Sequence, residues 1–328
     1  MGKKKIIFFS LLLALFFIAI FYIRNYYELL EKRAGDFYEI SVICRGKNMD
    51  NYSSTKAGID QAADDLNSEV NYITLSKDND AAQQVAMLKQ EVKGGANAII
   101  ILPADSIKDV RPIYDAAREV PVVVLQHSVN GLSNVTTISC DEFQLGKALA
   151  QKIVKNESSA RNINIKILQS GSHKNGSQLL SGITTILKNS DDNISYSTVP
   201  ENSKDAYDAA KTALIGHENE VLVALDSNAL EAAGKAKKDL LKSGISVPEK
   251  IYGIGRTDTI VTLLEEDIIQ AVGVENEYSM GYLGVKIAVD DIQKKKTENS
   301  INVNFVVSDK SDMYYPKNEY MLFPFINY

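Results

Sequence analysis

The chain has 328 residues, of which 45% are hydrophobic and 24% are charged. This is the composition of a globular protein with room for about two domains, and it excludes a disordered or fibrous chain. With 36 basic and 42 acidic residues the net charge is −6, which excludes a nucleic-acid binder that relies on general basicity.

The N-terminus carries an apolar run, Ile6–Ile23, in which Ser10 and Tyr22 are the only polar side chains. As a helix this run would span about 27 Å, close to the hydrocarbon thickness of a bilayer. The three lysines at 3–5 precede it, and such lysines place the N-terminus in the cytoplasm and the rest of the chain outside. We therefore predict a single-pass cell-membrane protein whose main body lies on the extracytoplasmic side.

A cleaved signal peptide is the alternative to an anchor. Its apolar region is about 7–15 residues long and is followed by a small-residue cleavage site. This run is longer, and residues 21–27 contain no pair of small residues, so we favour an uncleaved anchor at 1–24 and a polar tether at 25–37. Outside the cytoplasm, Cys44 and Cys140 meet oxidising conditions, and we predict two separate buried thiols rather than a bridge.

Beyond the tether, apolar segments of strand length alternate with amphipathic segments of helix length. The predicted strands are Glu39–Ile43, Val70–Leu75, Ala98–Leu102, Pro121–Leu125, Ile163–Leu168, Ile194–Val199, Val221–Leu225, Ile251–Ile254 and Ile269–Val274. One helix is predicted to start with Ser53 or Ser54 as its N-cap. The other predicted helices are Ala81–Val92, Ile107–Arg118, Glu142–Val154, Gln178–Leu187, Asp205–Ile215, Ala229–Leu241, Thr259–Glu266 and Met280–Lys295.

This alternation predicts an α/β protein with parallel sheets that are covered by helices on both faces. The series is too long for one compact unit, so we expect two such lobes, preceded by the N-terminal transmembrane helix. In sheets of this kind, ligands bind outside the carboxyl ends of the strands. The residues that directly follow each strand are therefore the candidates for function.

Four blocks of sequence carry a family resemblance: Gly94–Asp105, with the letters GGANAIIILPAD, then Val120–Leu125, Ile251–Gly255 and Gly281–Ala288. Their order and spacing are similar to those of the type I periplasmic binding proteins, in the ribose- and galactose-like sugar-binding branch. The resemblance covers about Tyr38 to Val307. It implies two Rossmann-like lobes, joined by three hinge crossovers, that clamp a ligand in the cleft between them.

The resemblance also implies where the chain crosses between the lobes, namely near Ser139–Asp141, Glu275–Glu277 and Asn302–Phe305. The N-terminal lobe would then comprise residues 38–139 plus 276–303. The C-terminal lobe would comprise residues 140–275 plus 304–328. Since each lobe is an α/β unit with its own core, the crossovers can bend and close the cleft without disturbing either core.

Sugar sites of this family combine aromatic rings, which stack on the C–H faces of a sugar, with planar polar groups for its hydroxyls. By position after the strands, the candidate ligand-binding residues are Arg45, Tyr52, Asp105, Gln126, His127, Asp226, Arg256 and Glu275. Two of them have simple alternatives, because Tyr52 could be a surface tyrosine near a helix start and Asp105 could cap the next helix. We expect Arg256 and Glu275 to be the central pair, with a surface ion pair as the alternative.

Several candidates depart from the family pattern. Gln126 and His127 stand where the family typically has Asp-Arg, and Gly255 stands where it has an acid. Arg45 and Arg256 occur where the family often has other residues. We therefore expect a modified or acidic sugar, or another small polar molecule, rather than an ordinary aldose.

The enzyme alternatives have weaker support. Gly253-x-Gly255-x-x-Asp258 imitates a dinucleotide fingerprint, but Asp258 replaces the third glycine. The glycine-rich segment at 171–177 lacks the Gly-Lys-Ser/Thr ending of a phosphate loop, and no G-x-S-x-G occurs. Two cysteines and three scattered histidines give no pattern for a metal site. We predict no enzyme activity, no cofactor and no metal.

Two roles remain open for a binding protein of this kind. It would deliver its solute to an ABC permease, or act as a ligand-sensing accessory protein of a two-component histidine kinase in the membrane. The uncleaved anchor and the altered pocket favour sensing slightly. A membrane span occupies the place where a related repressor would carry a helix-turn-helix, so we expect no nucleic-acid partner.

Overall fold

A computed structural model describes residues 18, 20–22, 37–49, 52–104, 107, 109–126, 135–157, 163–170, 178–187, 193–200, 203–215 and 220–324. Most of the predicted anchor and tether therefore lies outside the described residues. None of the helices in the described ranges combines the length and the apolar character that crossing a membrane requires.

The described body contains twelve strands in two sheets of six. The strands are β1 Tyr38–Ile43, β2 Ser68–Ile73, β3 Ala98–Ile101, β4 Val122–Leu125, β5 Thr136–Cys140, β6 Asn164–Ser170, β7 Asn193–Val199, β8 Glu220–Ala224, β9 Lys250–Ile254, β10 Ala271–Glu275, β11 Ser300–Val303 and β12 Phe305–Ser308. The first sheet has the order β11-β5-β4-β3-β1-β2, and the second has the order β12-β10-β9-β8-β6-β7.

Within the described part of the body, ten helices connect and cover these strands. They are α1 Ser53–Asp65, α2 Ala81–Gly94, α3 Arg111–Ala116, α4 Glu142–Asn156, α5 Gln178–Leu187, α6 Ser203–Leu214, α7 Ser227–Lys242, α8 Asp258–Glu265, α9 Glu277–Ile292 and α10 Pro316–Leu322. The two-lobe α/β architecture with parallel sheets is thus confirmed.

All pairings in the first sheet are parallel, and the fully apolar strands β3 and β4 are buried along their whole length. Such strands need apolar residues on both faces because helices cover both sides of the sheet. Cys44 and Cys140 follow or end strands that β3 and β4 separate, and both are buried and free of a disulfide. At about 4.8 Å per strand they lie too far apart for a bridge, as predicted.

The second sheet has one antiparallel strand, β12, which pairs with β10. This differs from the all-parallel expectation, and the chain path explains it. A single residue, Asn304, joins β11 of the first sheet to β12 of the second. The chain leaves β11 at its carboxyl end, where the sheets face each other, so it enters the second sheet from that edge and runs opposite to β10.

Two helix predictions need correction. At the start of α1 neither Ser53 nor Ser54 is the N-cap, because Tyr52 holds that position and makes no side-chain capping bond. The helix predicted over Ile107–Arg118 is shorter, since α3 begins at Arg111. Pro112 explains the late start, because proline fits the first turn of a helix but blocks an earlier turn.

Candidate ligand-binding site

The carboxyl ends of the parallel strands in both sheets meet at the places where the chain passes from one sheet to the other. These passages lie between β5 and α4, between β10 and α9, and at Asn304 between β11 and β12. Parallel α/β sheets bind ligands at this edge. The space between the two facing edges is therefore the place to look for a site.

A small pocket that opens to solvent lies at this edge. The residues that line it come from elements packed on both sheets, and they include Ser54, Arg256, Glu275, Glu277, Tyr278 and Tyr320. Ser54 belongs to the first turn of α1, whereas Arg256 follows β9 and Tyr320 lies on α10. The pocket thus combines a helix start of the first lobe with a strand end and the C-terminal helix of the second.

Arg256 is positioned by its neighbours in chain and space. Gly255 before it has a φ of 120°, and a Cβ there would lie 2.0 Å from Ser227 Oγ, so the turn into Arg256 requires glycine. Arg256 Nε donates to the carbonyl oxygen of Leu322 at 3.0 Å, and Nη2 donates to Asp258 at 2.7 Å. Arg256 has 9% of its side chain exposed, whereas its ion-pair partner Asp258 has 90% exposed.

Glu275 and Glu277 flank the start of α9. Glu275 ends β10, Asn276 caps the helix by accepting from the Ser279 amide at 3.0 Å, and Glu277 is the first helical residue. Within the described part of the chain, neither carboxylate has a hydrogen-bond or ion-pair partner. Both are half-buried and line the pocket.

The pKa values of both acids are raised by their surroundings. Burial raises the pKa of Glu275 to about 8, the nearby charges of Glu277 and Glu142 add to the increase, and Arg45 opposes it. Burial likewise raises the pKa of Glu277 to about 7, although Arg45 and Arg256 both act in the opposite direction. Arg45 of the first lobe and Arg256 of the second thus both act electrostatically on the residues that join the lobes.

Arg45 and Tyr52 form a contact of their own. Arg45 Nε donates to the Tyr52 hydroxyl at 2.7 Å, and the guanidinium carbon lies 5.2 Å from the centroid of the tyrosine ring. Both side chains are half-buried. This contact fixes Tyr52 at the entrance to α1, two residues before the pocket residue Ser54.

Asp226 caps a helix and binds the end of a neighbouring strand. It caps α7 by accepting from the Ala229 amide at 2.9 Å, and it accepts from both the amide and the hydroxyl of Ser170 at 2.7 Å. Both carboxylate oxygens are thereby engaged in joining the ends of β6 and β8. Asp226 is not in the lining of the pocket.

Gln126 lies apart from this pocket too, at the end of β4, with a φ of 71° that few residues other than glycine adopt. Its Oε1 atom is buried and has no hydrogen-bond partner among the described residues. Asp105 and His127 lie outside the described residues. Of the eight candidates, the pocket therefore brings together Arg256 and Glu275, and Arg45 acts on Glu275 by charge.

Sequence reasoning did not select Ser54, Glu277, Tyr278 or Tyr320. Glu277 could have been found, because it lies in the predicted crossover and two residues after Glu275. Tyr320 had no such signal, since α10 is short and follows no strand end. In the described ranges, no group of histidine, cysteine, aspartate or glutamate side chains is arranged to hold a metal ion.

The model of the periplasmic binding protein domain family matches residues 40–296 of the chain. No curated protein matches the sequence. Among solved structures, the carbohydrate transporter solute binding protein of Agrobacterium radiobacter, in complex with D-arabinose, is 19% identical with a TM-score of 0.76. The match covers 88% of this chain and 99% of that one.

Two further solved structures share the fold. An ABC transporter solute binding protein from Agrobacterium vitis with bound D-fucose is 19% identical, covers 87% of this chain and 100% of its own, and has a TM-score of 0.76. The XylFII–LytSN complex contains a chain that is 20% identical, with coverage of 84% and 99% and a TM-score of 0.74. At these identities the structures establish a common fold.

Proposed function

Because the chain belongs to the periplasmic binding protein family, we propose that it is a membrane-anchored, extracytoplasmic solute-binding protein for a sugar or a sugar-like small polar ligand. The observation that carries the proposal is the pocket in which Arg256 and Glu275 meet Ser54. It lies at the carboxyl ends of the strands and combines residues from both lobes. The relatives with D-arabinose and D-fucose support a monosaccharide-like ligand.

The lobes of this proposal are residues 38–139 plus 276–303 and residues 140–275 plus 304–328. The three passages between them act as hinges, and a ligand that touches both lobes stabilises the closed arrangement. The family comprises binding proteins of transport systems rather than enzymes. The segment Gly253-x-Gly255-x-x-Asp258, which imitates a dinucleotide fingerprint, fits this assignment. Asp258 begins α8 and accepts a hydrogen bond from Arg256, so its side chain occupies the position that a glycine would leave open for a pyrophosphate.

Ile6–Ile23 anchors the protein in this proposal, with the binding domain on the outer side of the cell membrane. The full-length protein should fractionate with membranes and keep its N-terminal residues. Mass spectrometry of the purified protein measures this directly. A mature chain that begins after Ile23 would show a cleaved signal instead.

Two partners fit such a protein, an ABC permease that takes up the ligand and a membrane histidine kinase that reads the bound state. The similarity to solute-binding proteins of ABC transporters supports the first role. The similarity to a chain solved within the XylFII–LytSN complex supports the second, because a chain of this fold is there bound to a second protein. The neighbouring genes distinguish the two roles. Permease and ATPase genes would indicate transport, whereas genes for a histidine kinase and a response regulator would indicate sensing.

The binding role is tested with the full-length protein in detergent. Thermal shift against a panel of neutral pentoses and hexoses identifies a ligand, and isothermal titration calorimetry confirms it. Small-angle neutron scattering with contrast-matched detergent should then show a smaller radius of gyration with saturating ligand. An unchanged radius with calorimetrically proven binding would exclude closure, and no binding across the panel would exclude a neutral sugar.

A further inference from the structure

The second sheet ends in a strand, β7, whose outer side is not paired with any described strand. β7 pairs with β6 and lies at the end of the strand order. Proteins usually protect such an edge with charged side chains, with proline or with a short strand, because its row of backbone N–H and C=O groups can pair with another chain. The sequence of β7, NISYSTV, has seven residues with neither a charge nor a proline, and Val199 is its one buried residue.

The corresponding edge of the first sheet is protected, although β2 has the same place there. β2 carries the exposed Glu69, and its tyrosine is already engaged. The Tyr72 hydroxyl donates to Asp60 at 2.7 Å, and Lys56 Nζ lies 4.8 Å from the centroid of the tyrosine ring. Tyr196 of β7 is 49% exposed instead, and its hydroxyl has no hydrogen-bond partner among the described residues.

The direction of the backbone groups in β7 follows from its pairing with β6. The backbone N–H of Asn193 donates to the Ile163 carbonyl oxygen at 3.1 Å, so the backbone groups of Asn193 point towards β6. Successive residues of a strand in a parallel ladder point their backbone groups to opposite sides. The residues whose groups point outwards are therefore Ile194, Tyr196 and Thr198. Tyr196 is the middle residue of the strand.

We propose that β7 pairs with β7 of a second copy of this chain, antiparallel and with Tyr196 on the two-fold axis. In antiparallel pairs, facing residues exchange both of their backbone hydrogen bonds. The three outward residues of β7 meet this requirement together, because Tyr196 faces its own copy while Ile194 faces Thr198. The same patch then serves both copies, as a two-fold interface requires, and the two sheets join into one.

The side chains of β7 also suit pairing of the strand with itself. A charge close to a two-fold axis would lie close to the same charge of the other copy, and β7 has none. Its facing pairs are Tyr196 with Tyr196, Ile194 with Thr198, and Ser195 with Ser197. Aromatic pairs and pairs of hydroxyl side chains stabilise antiparallel neighbours. The symmetric and uncharged sequence therefore favours a second copy over a strand of another protein. The proposal does not depend on the ligand and goes beyond the proposed function.

Introduced cysteines in the full-length protein, in detergent, test the contact and its register. Both natural cysteines are buried, so they do not compete. Tyr196→Cys meets its own copy at a Cα separation of about 5.5 Å, which allows a disulfide. Thr198→Cys is the matched control on the same strand, because it lies about 14 Å from its copy, four residues along at about 3.4 Å each.

Under mild oxidation, Tyr196→Cys should form a disulfide-linked dimer about tenfold or more faster than Thr198→Cys, as non-reducing electrophoresis measures. Equal rates for the two variants would show random collision and would overturn the proposal. Absence of a cross-linked dimer for Tyr196→Cys would overturn it as well.

Charges at Tyr196 test the same contact without a covalent bond. Tyr196→Lys and Tyr196→Glu should each raise the dimer dissociation constant about tenfold or more, because like charges face each other across the axis. An equal mixture of the two variants should recover the dimer, and this recovery also shows that both variants fold. Light scattering after size exclusion measures the protein mass against the 36.2 kDa of one chain. Tyr315→Lys, at a tyrosine that is 64% exposed and lies outside β7, is the control and should leave the dimer intact.

Three results of the mass measurement would overturn the proposal. They are a wild-type protein that is monomeric at every concentration, a dimer that survives both single substitutions, and a mixture of the two variants that stays monomeric. Each of these results leaves the solute-binding role standing, because β7 contributes no residue to the pocket.

Discussion

Gly58 and Gly281 lie against each other's helices where α1 crosses α9. A Cβ on Gly58 would be 2.0 Å from the Tyr278 carbonyl oxygen, and a Cβ on Gly281 would be 2.0 Å from the Thr55 carbonyl oxygen. The second lobe repeats the arrangement between α4 and α5, where Gly146 and Gly182 lie at similar distances from the opposite backbone. In each lobe, a helix that begins at a crossover is thus packed backbone to backbone with a helix that follows the first strand of its lobe.

Gly281→Ala should destabilise the protein, because the added methyl group meets backbone that cannot move aside like a side chain. Overpacking of this kind costs about 1–3 kcal/mol. Chemical denaturation measures the change in the free energy of unfolding. Gly94→Ala in α2 is the control, since a Cβ there meets nothing within 4 Å and alanine is the better helix former. Equal stability of the two variants would show that α1 and α9 can separate at little cost.

Arg256→Ala should weaken binding of an identified ligand by about 1.5–3 kcal/mol, which is typical of a lost charged hydrogen bond. An arginine that only bound the ligand would have little effect on the melting point of the empty protein. The structure changes that expectation, because Arg256 also holds the Leu322 carbonyl at the end of α10. Calorimetry and thermal denaturation together measure both effects.

Arg111→Ala provides the comparison for Arg256→Ala. Arg111 pairs with Asp109 on the surface, with 83% of its side chain exposed. Exposed pairs of this kind contribute little to stability, so this variant should bind and melt like the wild type. If Arg256→Ala behaves in the same way, Arg256 neither binds the ligand nor anchors α10.

Asp226→Ala should lower stability rather than ligand affinity. The substitution removes the cap of α7, worth about 0.5–2 kcal/mol, and also leaves two Ser170 donors without their acceptor. Asp80→Ala is the matched case, because Asp80 caps α2 through one bond from Gln83. Denaturation curves should show a larger loss for Asp226 than for Asp80. A stable Asp226→Ala protein with weakened ligand binding would instead support the ligand role predicted from the sequence.

The stability of the empty protein should fall as the pH rises through the neutral range. The folded pKa of Glu275 is about 8 against an ordinary value of 4.5, so the folded state keeps a proton that the unfolded state has released between these values. Stability contributed by this proton is full below 4.5 and is lost by about 8. Glu277 acts in the same direction up to its pKa of about 7.

Glu275→Gln should therefore gain stability relative to the wild type as the pH increases. Melting temperatures measured from about pH 5 to about pH 8.5 give the difference between the two proteins at each pH. Glu69→Gln, at an exposed glutamate on β2, is the matched surface substitution measured at each pH. A Glu275→Gln difference that does not change with pH would mean that the pKa of Glu275 is not raised in the folded chain.

The core of the fold could be predicted because its strands are unambiguous. Ala98–Ile101 and Val122–Leu125 are wholly apolar, and a parallel sheet covered on both faces requires such segments. Ser300–Val303 could not be identified in the same way, because it has four residues and only the last is buried. Its place in the first sheet depends on pairing with β5, which is distant in the chain.

The site was predictable to the extent that it depends on strand ends. Arg256 and Glu275 follow or end buried strands, and strand ends converge at one edge. Asp226 also follows a buried strand, and yet it caps a helix. The position of a residue after a strand shows where it lies, but it does not show which groups its side chain binds. Tyr320 enters the pocket from a C-terminal helix whose path no local pattern specifies.

The amide of Asn276 donates to the carbonyl oxygen of Asn304 at 2.9 Å, so the second and third passages between the sheets are tied together. A pair of connections tied in this way permits rotation about a line through them, but it resists sliding of one lobe past the other. Glu275 directly precedes Asn276, so it lies next to this line and moves little during such a rotation. A ligand group bound by Glu275 therefore stays near the axis while the two lobes rotate about it.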